Sequence, residues 1–144
     1  MARTSTYLNF TRNTEEAFTF YKSVFGGEFI GGINRLGDAP HQEGQPEISA
    51  EDKNLVMHVE LAITGGHSLM GTDAPESMGF TLNQGNNVYI NLEPDTKEEA
   101  GRLFNSLSAG GKVEMPLQEM FWGAWFASFK DKFGVTWMVN CAKK

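Results

Sequence analysis

His58 and Glu60 stand two residues apart in the run LVMHVELAI, residues 55–63. Side chains at i and i+2 of a strand share a face, about 7 Å apart. An imidazole and a carboxylate so placed can trade a proton with a bound molecule or anchor its polar groups. The same pair on a sheet edge or at a subunit contact would be only a solvated surface pair, and the residues alone leave both readings open. A second stretch with chemical character is MFWGAWF, residues 120–126, in which four aromatics and Met120 surround Gly123. Glycine among bulky residues marks a bend or a close backbone approach. The aromatics then form either a wall for a planar or apolar ligand or a packing and dimer contact. Phe121 and Trp122 precede the strand proper and are better ligand candidates than Trp125. His41 falls in a loop and His67 beside a turn, where a histidine is more often solvated than a ligand. Cys141 falls on a core-facing parity and reads as inert. There is no phosphate-binding loop, and no Ser-His-Asp or Cys-His arrangement is supported.

The elements that must position these residues come in two matching sets. TYLNFTRNTEEA (6–17) is echoed by VYINLEPDTKEEA (88–100): Tyr7, Asn9, Thr14 and Glu16 recur as Tyr89, Asn91, Thr96 and Glu98, each 82 positions later. Period-two alternation over 4–10 predicts a strand. Asn13 or Thr14 caps a helix carrying Ala17, Phe20, Tyr21 and Val24 at helical spacing, and Gly26-Gly27 ends it. Residues 28–34 read as a second strand and 35–54 as a long loop, functional or mobile. Residues 55–63 and 67–73 read as a hairpin turning at Thr64-Gly65-Gly66. The second set repeats this order: strand 87–92, a helix with the capping pattern Thr96-x-x-Glu99, and Gly110-Gly111 at its end. An edge strand weakened by Pro116 follows, then two strands joined at Lys132-Phe133-Gly134. The fold class is therefore α+β, one domain over 1–144 made of two βαβββ modules at 4–73 and 87–141. Their mixed, curved sheets are expected to enclose a cleft.

Strand parity assigns the cleft. One face of the first strand gives Thr6, Leu8 and Phe10 to the helix, leaving Ser5, Tyr7 and Asn9. Asn87, Tyr89 and Asn91 follow in the second copy. Met57, Val59, Leu61 and Ile63 suit the core, which turns His58 and Glu60 to the cleft together with Ser68 and Met70. Met138 and Asn140 join from the last strand. The parity of AWFASFKD (124–131) stays ambiguous, because both faces are apolar. The expected ligand-contacting set is Tyr7, Asn9, His58, Glu60, Met70, Tyr89, Asn91, Phe121, Trp122 and Met138. The amides suit a neutral or zwitterionic small molecule.

Composition narrows the partners. The 144 residues carry a formal net charge of -6 and no basic stripe, against a nucleic-acid partner. No apolar run approaches a membrane span and the N-terminus lacks a signal-peptide core. A single cysteine allows no internal disulfide and fits a reducing, cytoplasmic setting. Sheet edges near Pro116 and aromatics near 120–126 want cover, which points to a homodimer.

With its paired βαβββ pattern, the chain resembles the vicinal oxygen chelate superfamily of glyoxalase I, extradiol dioxygenases and bleomycin- and fosfomycin-resistance proteins. YLNFTRNTEEAFTFYKSVFGGEF, MHVELAITGGHSLMGTD and FWGAWFASFKDKFGVTWMVN are similar to its PhnB-like branch. The resemblance spans nearly the whole chain apart from the 35–54 loop. It implies a small-molecule site between paired modules. That branch has also carried a demethylubiquinone methyltransferase label, yet no glycine-rich loop follows a strand here to support methyl transfer. The resemblance also implies metal ligands on the first and last strands of each module. Those positions fall on Ser5, Met70, Asn87 and Met138, a poor set for Zn²⁺, Ni²⁺ or Fe²⁺. No metal and no cofactor are expected. The implied function is metal-independent binding of a small molecule. The alternative is a lyase, isomerase or dioxygenase using an unexpected metal set or acid–base chemistry.

Overall fold

A computed structural model of the chain describes residues 2–40, 44 and 47–142. His41 lies outside the described residues. The chain divides into two compact units, Met1–Leu82 and Asn83–Lys144.

The first unit runs β1 (Thr6–Phe10), α1 (Thr14–Phe25), β2 (Asn34–Arg35), β3 (Val56–Ala62) and β4 (Ser68–Asp73). Its sheet has the order β1-β4-β3-β2, with β1 parallel to β4 and the other neighbours antiparallel. The helix buries Ala17, Phe18, Tyr21 and Val24 against Phe10, Val59, Leu61 and Leu69. Gly71 lets the helix sit close, since a Cβ there would lie 2.5 Å from the Phe18 ring. The α1 cap is not the expected local one. Asn13 makes no side-chain cap bond. The buried Asp73 carboxylate instead accepts from Thr14 N at 3.1 Å and Thr14 Oγ1 at 2.7 Å, and its other oxygen accepts from Val56 N at 2.8 Å. One residue at the end of β4 thus fixes both the helix start and the start of β3.

Two sequence expectations fail in this unit for backbone reasons. The strand expected over 28–34 shrinks to Asn34–Arg35, because Gly31 and Gly32 adopt φ of 76° and 72° and turn the chain aside. Ile30 N still donates to Glu60 O at 2.9 Å. Met57, expected in the core, is 37% exposed. Asn34 pairs with His58 but Arg35 with Val56, so β3 carries an extra residue. That bulge puts Val56 in the core and Met57 outside. The 35–54 loop is fastened at both ends. Arg35 makes two parallel bonds to Glu15, at 2.9 and 3.0 Å. Arg12 reaches Asp52 and Glu76, each at 2.8 Å, and Ser77 Oγ donates to Asp52 at 2.6 Å.

The second unit runs β5 (Ile90–Leu92), α2 (Lys97–Ser108), β6 (Lys112–Glu119), β7 (Ala124–Lys130) and β8 (Thr136–Ala142). The order is β5-β8-β7-β6, again with the first strand parallel to the last. β6 lies at the edge as Pro116 requires, with register shifts on either side of Met115. Thr96 Oγ1 accepts from Glu99 N at 3.1 Å, so half of the expected capping box forms, while the Glu99 carboxylate turns to Arg102. Trp137, Val139 and Cys141 pair with Phe129, Ala127 and Trp125, which settles the parity of β7. Phe129, Ala127, Trp137, Val139, Leu103 and Leu107 form the core, and Phe126, Ser128 and Lys130 fall on the opposite face. Among the described residues no helix is long and apolar enough to cross a membrane.

Candidate functional site

The face of the first sheet turned away from α1 gathers most of the ionisable candidates. Cross-strand pairing sets Met70 between Tyr7 on β1 and Glu60 on β3, and Asn9 beside Thr72. Tyr7 lies across the middle of this face, and its hydroxyl sits 3.0 Å from His58 Nδ1. The two rings are tilted, with centroids 5.7 Å apart. Tyr7 is 47% exposed, so the pair is open to a ligand. Partial burial pushes its phenol above the ordinary value.

Glu60 is buried but well supplied with donors. Ser68 Oγ donates to Glu60 Oε2 at 2.7 Å, and Arg3 Nη1 donates to the same oxygen at 3.1 Å and to Ser68 Oγ at 2.9 Å. The Ser68 bond, followed by Arg3 and the nearby His58, holds the carboxyl below its ordinary range against the cost of burial. His58 and Glu60 therefore share a face as expected, but each has its own partner, Tyr7 for one and Arg3 with Ser68 for the other. His67, just before β4, meets Thr6 Oγ1 at 2.9 Å.

On the second sheet the face away from α2 is less charged. Asn91 pairs across to Met138, Met138 to Ser128 and Ser128 to Met115. Asn140 pairs with Phe126, and its buried Oδ1 has no hydrogen-bond partner among the described residues. Tyr89 donates to Glu114 at 2.7 Å, and this bond raises its phenol pKa. Phe121 and Trp122 occupy the tip of the β6–β7 hairpin, closed by Met120 N to Ala124 O at 2.8 Å and turned at Gly123 with φ 86°. Phe121 is 95% exposed and Trp122 50%. The Trp122 ring packs edge-on to Phe126 at 5.9 Å, which ties the tip to the face holding Asn91 and Met138.

The positions where the superfamily would hold a metal do not suit one. Ser5 Oγ donates to Met70 Sδ at 3.7 Å, so these two side chains satisfy each other. Met70 lies opposite Tyr7 whereas Met138 lies opposite Asn91, so in the register of the repeat the two methionines are not equivalent. A thioether, a hydroxyl and an amide offer none of the imidazole, carboxylate or thiolate donors such ions take. Among the described residues no three of His, Cys, Asp and Glu come together as a ligand cluster. A recess of about 250 Å³ lies instead beside the start of α2, lined by Asp95, Thr96, Lys97, Glu98, Trp125 and the end of β8. None of the candidate residues lines it, and Lys97 Nζ stacks 4.1 Å over the Trp125 ring there.

Arg3 is the member of the Glu60 cluster that periodicity missed. Its signal was its place in the alternation, two residues before Ser5 and four before Tyr7, just ahead of the strand expected over 4–10.

Comparison with known proteins agrees with this architecture. The chain is 32% identical to the Escherichia coli (strain K12) Protein YjdN, over 97% of this chain and 95% of that one. A crystal structure of protein PA1353 from Pseudomonas aeruginosa is 37% identical, covers 100% of both chains and superposes with a TM-score of 0.84. A Bacillus cereus structure described as a putative 3-demethylubiquinone-9 3-methyltransferase, PhnB protein, is 27% identical over 98% of this chain and 100% of that one, with a TM-score of 0.73. A fosfomycin resistance protein, FosX, from Listeria monocytogenes shares the fold at 12% identity and a TM-score of 0.61, over 99% of this chain and 94% of that one. Residues 2–140 match the family model described as 3-demethylubiquinone-9 3-methyltransferase. The chain belongs to that PhnB-like family, on the glyoxalase, bleomycin-resistance and dioxygenase fold.

Proposed function

We propose that the protein is a metal-independent small-molecule-binding member of its superfamily, with the sheet faces turned away from α1 and α2 as the binding surfaces. The observation that carries this is the Tyr7–His58 pair, hydrogen-bonded at 3.0 Å on a half-exposed face beside Met70, Asn9 and the Glu60 cluster. Such a surface offers apolar contact, a stacking ring and donors of tunable charge, the mixture that small-molecule sites use. The corresponding face of the second sheet carries Asn91, Met138 and the Trp122–Phe126 aromatics. Tyr89, committed to Glu114, and Phe121, at the far tip, are the more peripheral members.

Methyl transfer, which the family description names, finds little support in this chain. The β1–α1 connection, Thr11-Arg12-Asn13, has no glycine, and each sheet mixes parallel and antiparallel strands. Neither feature suits the glycine-rich, parallel-sheet cradle of a nucleotide-type cofactor. A second reading, acid–base turnover of the bound molecule, rests on the Tyr7–His58 hydrogen bond, which could pass a proton. A homodimer in the cytoplasm completes the proposal, supported by the exposed Val113 on β6, the exposed Phe121 and Trp122 at the hairpin tip, and the free, buried Cys141. Sedimentation at micromolar concentration should return twice the chain mass; a monomer counts against the dimer.

The test is a thermal-shift screen of metabolites and antibiotics on chelator-treated protein, then calorimetric titration of hits. Replacing His58 by Ala should leave the melting temperature nearly unchanged and weaken binding. Trp122→Ala should cost about 1–3 kcal/mol of binding as a lost aromatic anchor. Wild-type binding in both variants, or hits that appear only with an added transition metal, would sink the proposal.

A further inference from the structure

The four arginines of the chain are not used alike. Arg35 grips Glu15 with Nη1 and Nη2, Arg102 grips Glu99 with Nε and Nη2, and Arg12 spreads Nε and Nη1 over Glu76 and Asp52. Side-by-side pairing is the strong geometry for a guanidinium on a carboxylate. Arg3 departs from it. It touches Glu60 Oε2 and Ser68 Oγ through Nη1 alone, and its side chain is 59% exposed. Among the described residues Nε and Nη2 have no acceptor, although together they form the edge that Arg102 uses for a carboxylate. If Arg3 served only to neutralise the buried Glu60, the two-bond geometry would do so better. Glu60 is already met by Ser68 at 2.7 Å, so the single contact acts as a tether. The tether fixes the guanidinium at the end of the face that holds Tyr7, His58 and Met70, and leaves its binding edge free.

We propose that Arg3 is an anion-binding element of this face, and that the molecule bound there carries a carboxylate or phosphate group pairing with Nε and Nη2. This deepens the small-molecule reading and rests on it. Glu60 and Ser68 are positioning residues, which hold Arg3 by one nitrogen. The expectation of a neutral or zwitterionic ligand, drawn from Asn9 and Asn91, is thereby narrowed to one with an oxyanion at the Arg3 end.

The side-chain Nε–H signals of all four arginines can be followed by NMR on the full ¹⁵N-labelled chain while inorganic phosphate replaces chloride at constant ionic strength. The Arg3 signal should move saturably, and those of Arg12 and Arg102, whose Nε already donates to a carboxylate, should not. Arg3→Lys keeps the charge but loses the planar edge, so phosphate affinity should fall at least about fivefold. No saturable movement at Arg3, movement shared by Arg12 and Arg102, or an unchanged affinity in Arg3→Lys would overturn the assignment. A parallel titration with benzamide, neutral and planar, reads the underlying proposal through the Tyr7 and His58 ring signals. Benzamide binding without phosphate binding would leave the small-molecule reading standing and remove only this one. Absence of both would remove both.

Discussion

Replacing Asp73 by Ala tests the link between the fold and the candidate site. Asp73 is 6% exposed and accepts from two backbone donors, Thr14 N and Val56 N, and from the Thr14 hydroxyl. The hydroxyl can rotate, so its loss costs little. The two backbone groups belong to Thr14 and Val56, which are buried, so the substitution leaves them without a partner. Each unsatisfied donor costs about 1–2 kcal/mol, and loss of the charge at the start of α1 adds about 1 kcal/mol. The expected destabilisation is about 3–5 kcal/mol, among the larger single-site effects. Urea unfolding followed by circular dichroism should show the midpoint fall with the slope unchanged. Asp73 also pins Val56, two residues before His58, at the bulge that aims Met57 outward. The His58 ring signal should therefore shift in the folded variant. A loss below about 1 kcal/mol would refute the reasoning, because it would mean water or backbone adjustment satisfies both donors.

Two further predictions concern the same unit. Glu60, Asp52, Glu15 and Glu76 are all held below their ordinary values, led by Ser68 for Glu60, Ser77 for Asp52, Arg35 for Glu15 and its own backbone N–H for Glu76. A depressed carboxyl stabilises the fold above its unfolded value and loses that contribution as pH falls through the folded one, so the melting temperature should be flat above about pH 5 and drop below about pH 4. Arg12→Met should lower stability at neutral pH and make the acid drop shallower, whereas a profile merely parallel to wild type would contradict the role given to Arg12. Gly71→Ala should cost about 1–3 kcal/mol by pushing the Phe18 ring and α1 off the sheet; denaturant midpoints equal to wild type would show that the contact can relax freely.

The helix-facing half of the first sheet was legible because burial imposes periodicity, whereas in the second the strand expected over 87–92 shrinks to Ile90–Leu92 and Val88 is exposed. Phe10, Val59, Leu61 and Leu69 alternate with polar residues, and Tyr21 and Val24 recur at helical spacing, so strand, helix and face follow from the pattern. The failures lie where backbone geometry breaks the period. Gly31 and Gly32 remove most of the second strand, and one extra residue in β3 exchanges Val56 for Met57 in the core. The diglycine was a visible breaker set against a strand pattern, whereas the extra residue in β3 leaves no trace in an alternation count. The side chain that caps α1 was missed for a related reason: the acceptor, Asp73, lies 59 residues away in sequence.

The opposite faces were legible only in part, for a different physical reason. Parity places Tyr7, Asn9, His58, Glu60 and Met70 on one face of the first sheet, and the strand pairing agrees. It does not say which of them touch. A polar face is organised by hydrogen bonds of long sequence separation, and such bonds are chosen by reach. Tyr7 can cross β4 to His58 because a phenol is long, and Arg3 can reach both Glu60 and Ser68 for the same reason. The expected pairing of His58 with Glu60 therefore resolves into two neighbouring clusters of different character. One is aromatic and able to pass a proton; the other is a tethered cation over a fixed carboxylate. A molecule that spanned both would place a ring against Tyr7 and an acidic group against Arg3, and the separation of the two clusters along the strands would then set its length.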